Sequence, residues 1–294
     1  MKTIVISGCN GLIGFELSRL LSQNSDYNVY GISRTKPLIE SPNFYHIYAD
    51  LMQKDFEGLL PEKVDVVIHL AQSEFFRDFP NKAQNIFDIN VNSTLKLLDY
   101  CRKANGSNFI YASSGGIYGT SEKGFDEEDH VAPHGELGFY LSTKLCSEIL
   151  VENYSSFFNI IISRLFFVYG KRQRKSMLIP RLVENIKKGI SVKLEGSEGI
   201  LINPIYVLDA VKALEKCIEL NENHKINIGG NQLMSLREIC TIIGDKVGKT
   251  PIFECDENVK PKNLFSNINR MKDLLIEPSV KFENGIMEII QANE

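Results

Sequence analysis

The chain has 294 residues, enough to bury a large core in one large or two modest domains. At 43% hydrophobic and 24% charged residues it has the composition of a folded globular protein rather than a disordered or fibrous one. The net charge of -4 excludes a broad electrostatic attraction to nucleic acid or to an anionic membrane, so any phosphate binding has to be local.

The first residues, MKTIVISGCNGLIG, carry a short apolar run that breaks at glycines, without the long apolar region or small-residue cleavage site of a signal peptide. No stretch of about eighteen apolar residues is present to cross a bilayer. A cytoplasmic protein with no membrane partner is expected. Cys9, Cys101, Cys146, Cys217, Cys240 and Cys255 are scattered, with no Cys-x-x-Cys pair and no His spacing suited to zinc. They are expected to be reduced and mostly buried, and no metal is expected.

In chain order, the runs TIVISG, NVYGIS, FYHIYA, VDVVIHLA, NFIYASS and NIIISRLFFVYG are apolar enough to be central parallel strands buried on both faces. Helices are expected between them near 12–24, 52–60, 81–104 and 138–155. This β-α-β rhythm implies an α/β fold with a doubly wound parallel sheet. After Gly170 the regularity loosens. KRQRKSMLIPRLVENIKKG reads as a basic loop entering a helix, SVKLEGSEGILINPIYV as irregular strand and turn, LDAVKALEKCIELN as a helix and KINIGG as a strand returning to the sheet. Ser235, three residues before Glu238, marks a capping box and a helix start, and further helices are expected near 267–275 and 284–292. The expected division is a dinucleotide-binding domain, 1–170 with about 203–229, and a smaller C-terminal substrate-binding lobe, 171–202 with 230–294.

The chemistry starts at VISGCNGLIG, which joins the first strand to the first helix and holds Gly8, Gly11 and Gly14. Glycines here permit the tight turn, let a pyrophosphate approach the amides at the helix N-terminus, and let helix and strand pack closely. The spacing is not Gly-x-Gly-x-x-Gly, but it serves the same physics. At the end of the second strand an acid would favour the ribose hydroxyl of NAD and an arginine the extra phosphate of NADP. The chain reads GISRTK, with Ser33 and Arg34, so NADP is favoured over NAD. Asp50, after the third strand, is a candidate for the adenine.

Tyr140 and Lys144 stand four apart on an expected helix, and with eleven tyrosines in the chain one such spacing arises by chance. A phenol titrates near pH 10, about three units from neutrality, a handicap of roughly 4 kcal/mol for an acid or base. An ammonium on the same helical face would stabilise phenolate.

Taken in order, the glycine loop, HLAQS from His69, NVNST from Asn90, SSGGIYG from Ser113, Tyr140 with Lys144, YG at 169, PIYVLDAV from Pro204 and INIGGNQLMSLREI from Ile226 resemble an extended short-chain dehydrogenase/reductase of the NAD(P)-dependent epimerase/dehydratase family. The similarity spans nearly the whole chain. It implies a Rossmann-like fold and an enzyme acting on a nucleotide sugar. Counting back from IYG, it places the catalytic hydroxyl on Ser114, beside Tyr140 and Lys144; Ser114 and Tyr140 also meet the substrate. It implies a cofactor set of Gly8, Gly11, Leu12, Ile13, Gly14, Ser33, Arg34, Asp50, Leu51, Leu70, Ala71, Asn90, Tyr140 and Lys144. Lys144 would hold the nicotinamide ribose, and Asn90 would support a backbone geometry or a water linking Lys144 to solvent. Family members commonly dimerise through two helices, here 81–104 and 138–155, so a homodimer is expected; Ile86, Phe87, Leu95, Leu98 and Cys101 suit a core face or an interface.

The chain departs from the family at informative places. Dehydratases of the family carry an acidic pair after the catalytic hydroxyl, where Gly115 and Gly116 stand here, which argues against dehydration. Phe167 replaces an asparagine and Ile202 an arginine that contact the substrate diphosphate, and Arg172 and Arg174 in KRQRK are the expected replacements. Because Arg34 suits an exchangeable NADPH, the first expectation is a reductase of a 4-keto nucleotide sugar. The alternative is a 4-epimerase, similar to UDP-glucose 4-epimerases, that retains NAD. A non-catalytic dinucleotide sensor is a third reading. The sugar and the nucleotide are not legible.

Overall fold

Apolar β-branched runs bounded by glycine or polar turns form the strands, and the amphipathic stretches between them form helices packed on those strands. The computed structural model describes residues 1–135 and 137–292. The first part of the chain runs β1 (Lys2–Ser7), α1 (Leu12–Ser22), β2 (Tyr27–Ser33), β3 (Phe44–Tyr48), β4 (Val66–His69), α2 (Ala83–Phe87), α3 (Ser93–Lys103), β5 (Asn108–Ser114), α4 (Gly138–Glu152) and β6 (Asn159–Leu165). The rest runs β7 (Val168–Tyr169), α5 (Leu178–Lys188), β8 (Val192–Glu195), β9 (Leu201–Ile202), β10 (Ile205–Tyr206), α6 (Val207–Cys217), β11 (His224–Ile228), β12 (Met234–Ser235), α7 (Leu236–Val247), β13 (Phe253–Asp256), α8 (Asn269–Leu274) and α9 (Phe282–Ala292).

The central sheet has the order β11-β6-β5-β4-β1-β2-β3. β1 pairs in parallel with β2 and β4, β2 with β3, and β4 with β5. The doubly wound sheet expected from the strand rhythm is therefore present. Chain direction across the sheet reverses between β1 and β4, and the carboxyl ends of those strands are where such a sheet receives its ligand.

The chain forms two compact units. The first comprises Met1–Gly119, His130–Arg164 and Val211–Ile226; the second comprises Thr120–Asp129, Leu165–Ala210 and Asn227–Glu294. Residues 120–129, 165–170, 203–210 and 227–229, expected with the dinucleotide-binding domain, belong to the second unit. The first unit is anchored by Val5, Ile32, Val67, Leu97, Leu98, Cys101, Phe109, Tyr111, Val151 and Ile162, all buried in one cluster. Each such aliphatic or aromatic side chain contributes about 1.5–3 kcal/mol by leaving water, which makes the strand ends a stiff platform. In the second unit, Tyr169 packs against Tyr206 and Phe282. Asp209 accepts the backbone N–H groups of Ser279 and Val280 at 2.9 and 2.8 Å. The expected capping box between Ser235 and Glu238 starts α7.

Several elements differ from the sequence expectation. Residues 52–60 make only a short 3-10 turn, Phe56–Leu59. The expected helix over 81–104 is α2 and α3 joined by a π-helical turn, Asp88–Asn92. NIIISRLFFVYG breaks into β6 and β7, because Phe167 between them turns left-handed at φ 44°. Ile86, Leu98 and Cys101 are fully buried within the chain itself and so are core, whereas Phe87 and Leu95 are exposed. Of the cysteines, Cys146 and Cys255 are exposed. No helix among the described residues is long and apolar enough to cross a membrane.

Candidate active site

The turn after β1 is made by backbone. Gly8 has φ +75°, and a Cβ there would lie 3.0 Å from the backbone of Ala71. A Cβ on Gly14 would lie 2.2 Å from the Gly8 carbonyl oxygen, so α1 can start this close to β1 only with glycine at that position. Gly11 is the N-cap of α1 and gives its first-turn amides, which include Leu12, Ile13 and Gly14, no side-chain cap. An uncapped helix start with bare glycines at its approach suits the pyrophosphate of a dinucleotide. Leu70 and Ala71 close the neighbouring turn, their N–H groups donating to Ser7 O and Ser7 Oγ, both at 3.3 Å.

The Tyr140–Lys144 pair lies on α4, against β5. Lys144 is 2% exposed, its Nζ donates to the Ala112 carbonyl at 2.8 Å, and it sits 5.1 Å from the centre of the Tyr111 ring. Tyr140 is buried as well, and its hydroxyl donates to Gln72 Oε1 at 2.7 Å. The ammonium therefore bonds to the strand rather than to the phenol. Burial pushes the Lys144 amine down to about 7, with Glu148 opposing the shift, and burial pushes the phenol of Tyr140 above its ordinary value. The expectation that Lys144 makes the phenol more acidic is not met in this arrangement, because desolvation dominates both groups. Ser114, at the end of β5 and on the same strand face as Ala112, is partly exposed, and its Oγ accepts the Gly116 N–H at 3.2 Å. A hydroxyl that accepts in this way still has its own proton to donate.

Behind the pair runs a buried polar network. The Asn90 side chain accepts the Ser73 N–H at 2.9 Å and donates to Thr143 Oγ1 at 2.8 Å. The backbone carbonyl of Asn90 accepts from Thr94 Oγ1 at 2.6 Å and Ser147 Oγ at 2.8 Å. Asn90 thus ties the Ser73 loop to α4 and does not reach Lys144 itself. His69, fully buried, shares hydrogen bonds with Ser7 and Thr94, and burial holds its imidazole down to about 3, with Lys144 adding to the shift.

The outer residues are held more loosely. Ser33 Oγ donates to the Thr35 carbonyl at 2.6 Å and also meets His46 Nε2. Arg34 Nη2 pairs with Glu74 Oε1 at 2.8 Å, with the arginine side chain 56% exposed. Asp50 accepts the Met52 N–H at 3.0 Å in a local turn, and Leu51 packs against the first unit's core. Arg172 and Arg174 lie exposed in the second unit between β7 and α5. Phe167 and Ile202 belong to the same unit, with Ile202 fully buried. Gly115 and Gly116 open a 3-10 turn, where a Cβ on Gly116 would come within 2.8 Å of the Leu141 side chain, which would have to shift to admit it.

Sequence reasoning missed three contributors. Gln72 was hidden in HLAQS, because nothing local shows that it reaches Tyr140. Glu74 was missed as the partner of Arg34. The third is the buried fork in which Arg164 donates to both Glu148 oxygens, at 3.1 and 2.8 Å, and to Tyr118 Oη at 2.6 Å. Glu148, one turn after Lys144, carried a periodic signal along α4 that could have exposed the fork.

Residues 4–229 match the model of the NAD dependent epimerase/dehydratase family. A UDP-glucuronic acid 4-epimerase from Bacillus cereus, solved with UDP-glucuronic acid and NAD, superposes with a TM-score of 0.87 at 27% identity, over 99% of this chain and 98% of that one. An uncharacterised UDP-glucose epimerase, YtcB, of Bacillus subtilis (strain 168) is 28% identical, over 96% of this chain and 95% of its own length. A dTDP-D-glucose 4,6-dehydratase of Mus musculus is 26% identical over 81% of this chain and 71% of its own. The expectation of NADP over NAD is overturned: the Bacillus cereus enzyme holds NAD. Arg34, the residue on which that expectation rested, pairs with the Glu74 carboxylate at 2.8 Å.

Proposed function

Because the chain belongs to the NAD dependent epimerase/dehydratase family, we propose that it is an enzyme that inverts C4 of a UDP-sugar and keeps NAD bound through the cycle. The first expectation, a 4-keto-sugar reductase, gives way to this alternative, since its motive was an arginine free to hold NADPH. The observation that carries the reading is the buried Tyr140 and Lys144 beside the end of β5, together with Gly115 and Gly116 where dehydration would need acids.

The residues divide the work as follows. The glycine turn and the α1 N-terminus would hold the pyrophosphate of NAD, whose nicotinamide would supply the acceptor and donor of hydride when bound. Tyr140 Oη takes the proton of the sugar C4 hydroxyl and later returns one to the same oxygen. With its phenol raised by burial, Tyr140 depends on positive charge in the loaded site for this transfer. Lys144, fixed by Ala112 O, is the protein's own source of that charge. Ser114 Oγ donates to the sugar oxygen and steadies its developing charge.

The test is to incubate the purified chain with UDP-glucose or UDP-glucuronic acid, with no nucleotide added, and to follow the sugar stereochemistry. The C4 epimer should form, and acid should release NAD from the protein. Product that appears only with NADPH, and consumes it in proportion, means net reduction and ends the epimerase reading.

A further inference from the structure

Ser114 stands where β5 ends and the 3-10 turn Gly115–Tyr118 begins. Its Oγ caps the start of that turn by accepting the Gly116 N–H, and Tyr118 closes the other end. Tyr118 is buried, with the Arg164 guanidinium 4.8 Å from its ring centre and Arg164 Nη1 donating to its hydroxyl at 2.6 Å. Arg164 lies near the end of β6, the strand beside β5. The same guanidinium donates from Nε and Nη2 to the two oxygens of Glu148, at 3.1 and 2.8 Å. Glu148 is on α4, one turn beyond Lys144 and two beyond Tyr140.

The fork therefore joins the turn that starts at Ser114 to the helix that carries Tyr140 and Lys144. A second contact between the same two elements is apolar, with Ile117 and Leu141 in one buried cluster. Apolar contact is non-directional and lets surfaces slide, whereas a bidentate arginine–carboxylate pair fixes both distance and orientation. Nor is stability a sufficient reason for the fork, since apolar residues of the same volume often serve as well as a buried ion pair. We propose that Glu148, Arg164 and Tyr118 are positioning residues: through them α4 sets where Ser114 Oγ stands relative to Tyr140 Oη, so that both hydroxyls reach the same sugar oxygen. This rests on the proposed function and gives a role to an ion pair outside the three residues that act on the sugar. Two groups that must meet one atom tolerate little error, because a misplacement of about 1 Å can cost on the order of 10²-fold in rate.

A double-mutant cycle read by turnover of UDP-glucose or UDP-glucuronic acid tests this. Tyr118→Phe removes one oxygen and keeps the ring beside the guanidinium. It should lower kcat by about tenfold and leave KM within about twofold, because Ser114 acts on charge that develops only in the transition state. Ser114→Ala alone should lower kcat by about 10²-fold. The two together should be no slower than Ser114→Ala alone, to within about threefold, since no hydroxyl is then left to misplace. Should Tyr118→Phe not fold, Arg164→Lys, which keeps a cation opposite Glu148 without the fork, runs the same cycle with the same pattern expected. Losses that multiply in the double variant would mean a general loosening of the site, and wild-type kcat in the single fork variant would mean that the fork positions nothing. Either result overturns the inference and leaves the functional reading standing. If the wild type yields no C4 epimer, the functional reading fails and takes this inference with it.

Discussion

The inner and outer ends of the candidate site are built on different principles. At the inner end, His69, Asn90, Tyr140 and Lys144 are all at most 8% exposed, and each is fixed by hydrogen bonds to other elements of the first unit. At the outer end, Ser33, Arg34 and Asp50 have mostly local partners or a solvent-exposed ion pair. Buried polar groups are expensive to leave unpaired and exposed ones are not, so the same substitution should have a large effect at one end and a small one at the other. At the outer end, Arg34 led to an expectation of NADP that the NAD held by the Bacillus cereus enzyme overturns.

The sharpest way to break the comparison is Tyr140→Phe. It removes the oxygen proposed to move the C4 proton but keeps the ring packed on Phe76, so folding and NAD binding should persist. Turnover of a UDP-sugar should fall by about 10²- to 10⁴-fold, the worth of a positioned acid–base group. A loss smaller than tenfold in a stopped assay of epimer formation would show that the inner end does not carry the proton.

A smaller effect should appear in stability. His69 is held down to about 3 by burial, against an unfolded value near 6.5. Its folded pKa is lower, so between those values the unfolded chain binds the extra proton, and stability falls as pH drops from about 6.5 toward 3. From pH 7 to pH 4.5 this one group should remove about 2–3 kcal/mol. Urea unfolding of the wild type and of His69→Asn at both pH values isolates it. The asparagine variant, whatever its starting stability, should lose less on acidification by that amount, and equal losses would mean that the imidazole is not buried neutral.

What the sequence could show follows the same division. The central strands and the glycine turn are local patterns, written in neighbouring residues. So is the i, i+4 placement of Tyr140 and Lys144. The contacts that set their chemistry are not local: Tyr140 and Gln72 are 68 positions apart, and Arg34 and Glu74 are 40 apart. An arginine at a strand end reads as a phosphate ligand until the carboxylate that occupies it is known. The π-helical turn at Asp88–Asn92 was equally hidden, since apolar periodicity through 81–104 continues across it. The left-handed break at Phe167 left no signal, because a phenylalanine gives no warning of a positive φ where glycine or asparagine would.

The outer end supplies the smallest effect and the most direct check on the contrast. Arg34 and Glu74 meet at 2.8 Å, but their side chains are 56% and 34% exposed, and exposed ion pairs contribute no more than about 1 kcal/mol. Arg34→Ala should therefore change the affinity of the stripped protein for NAD by less than about threefold, measured by nucleotide fluorescence or calorimetry. Salt should matter as little, since a pair screened by water has little Coulomb energy to lose. If the affinity falls instead by tenfold or more, Arg34 must leave Glu74 and hold the dinucleotide directly. Once loaded, the outer end would then be fixed as firmly as the inner one, and the ion pair would be a resting contact that the cofactor replaces.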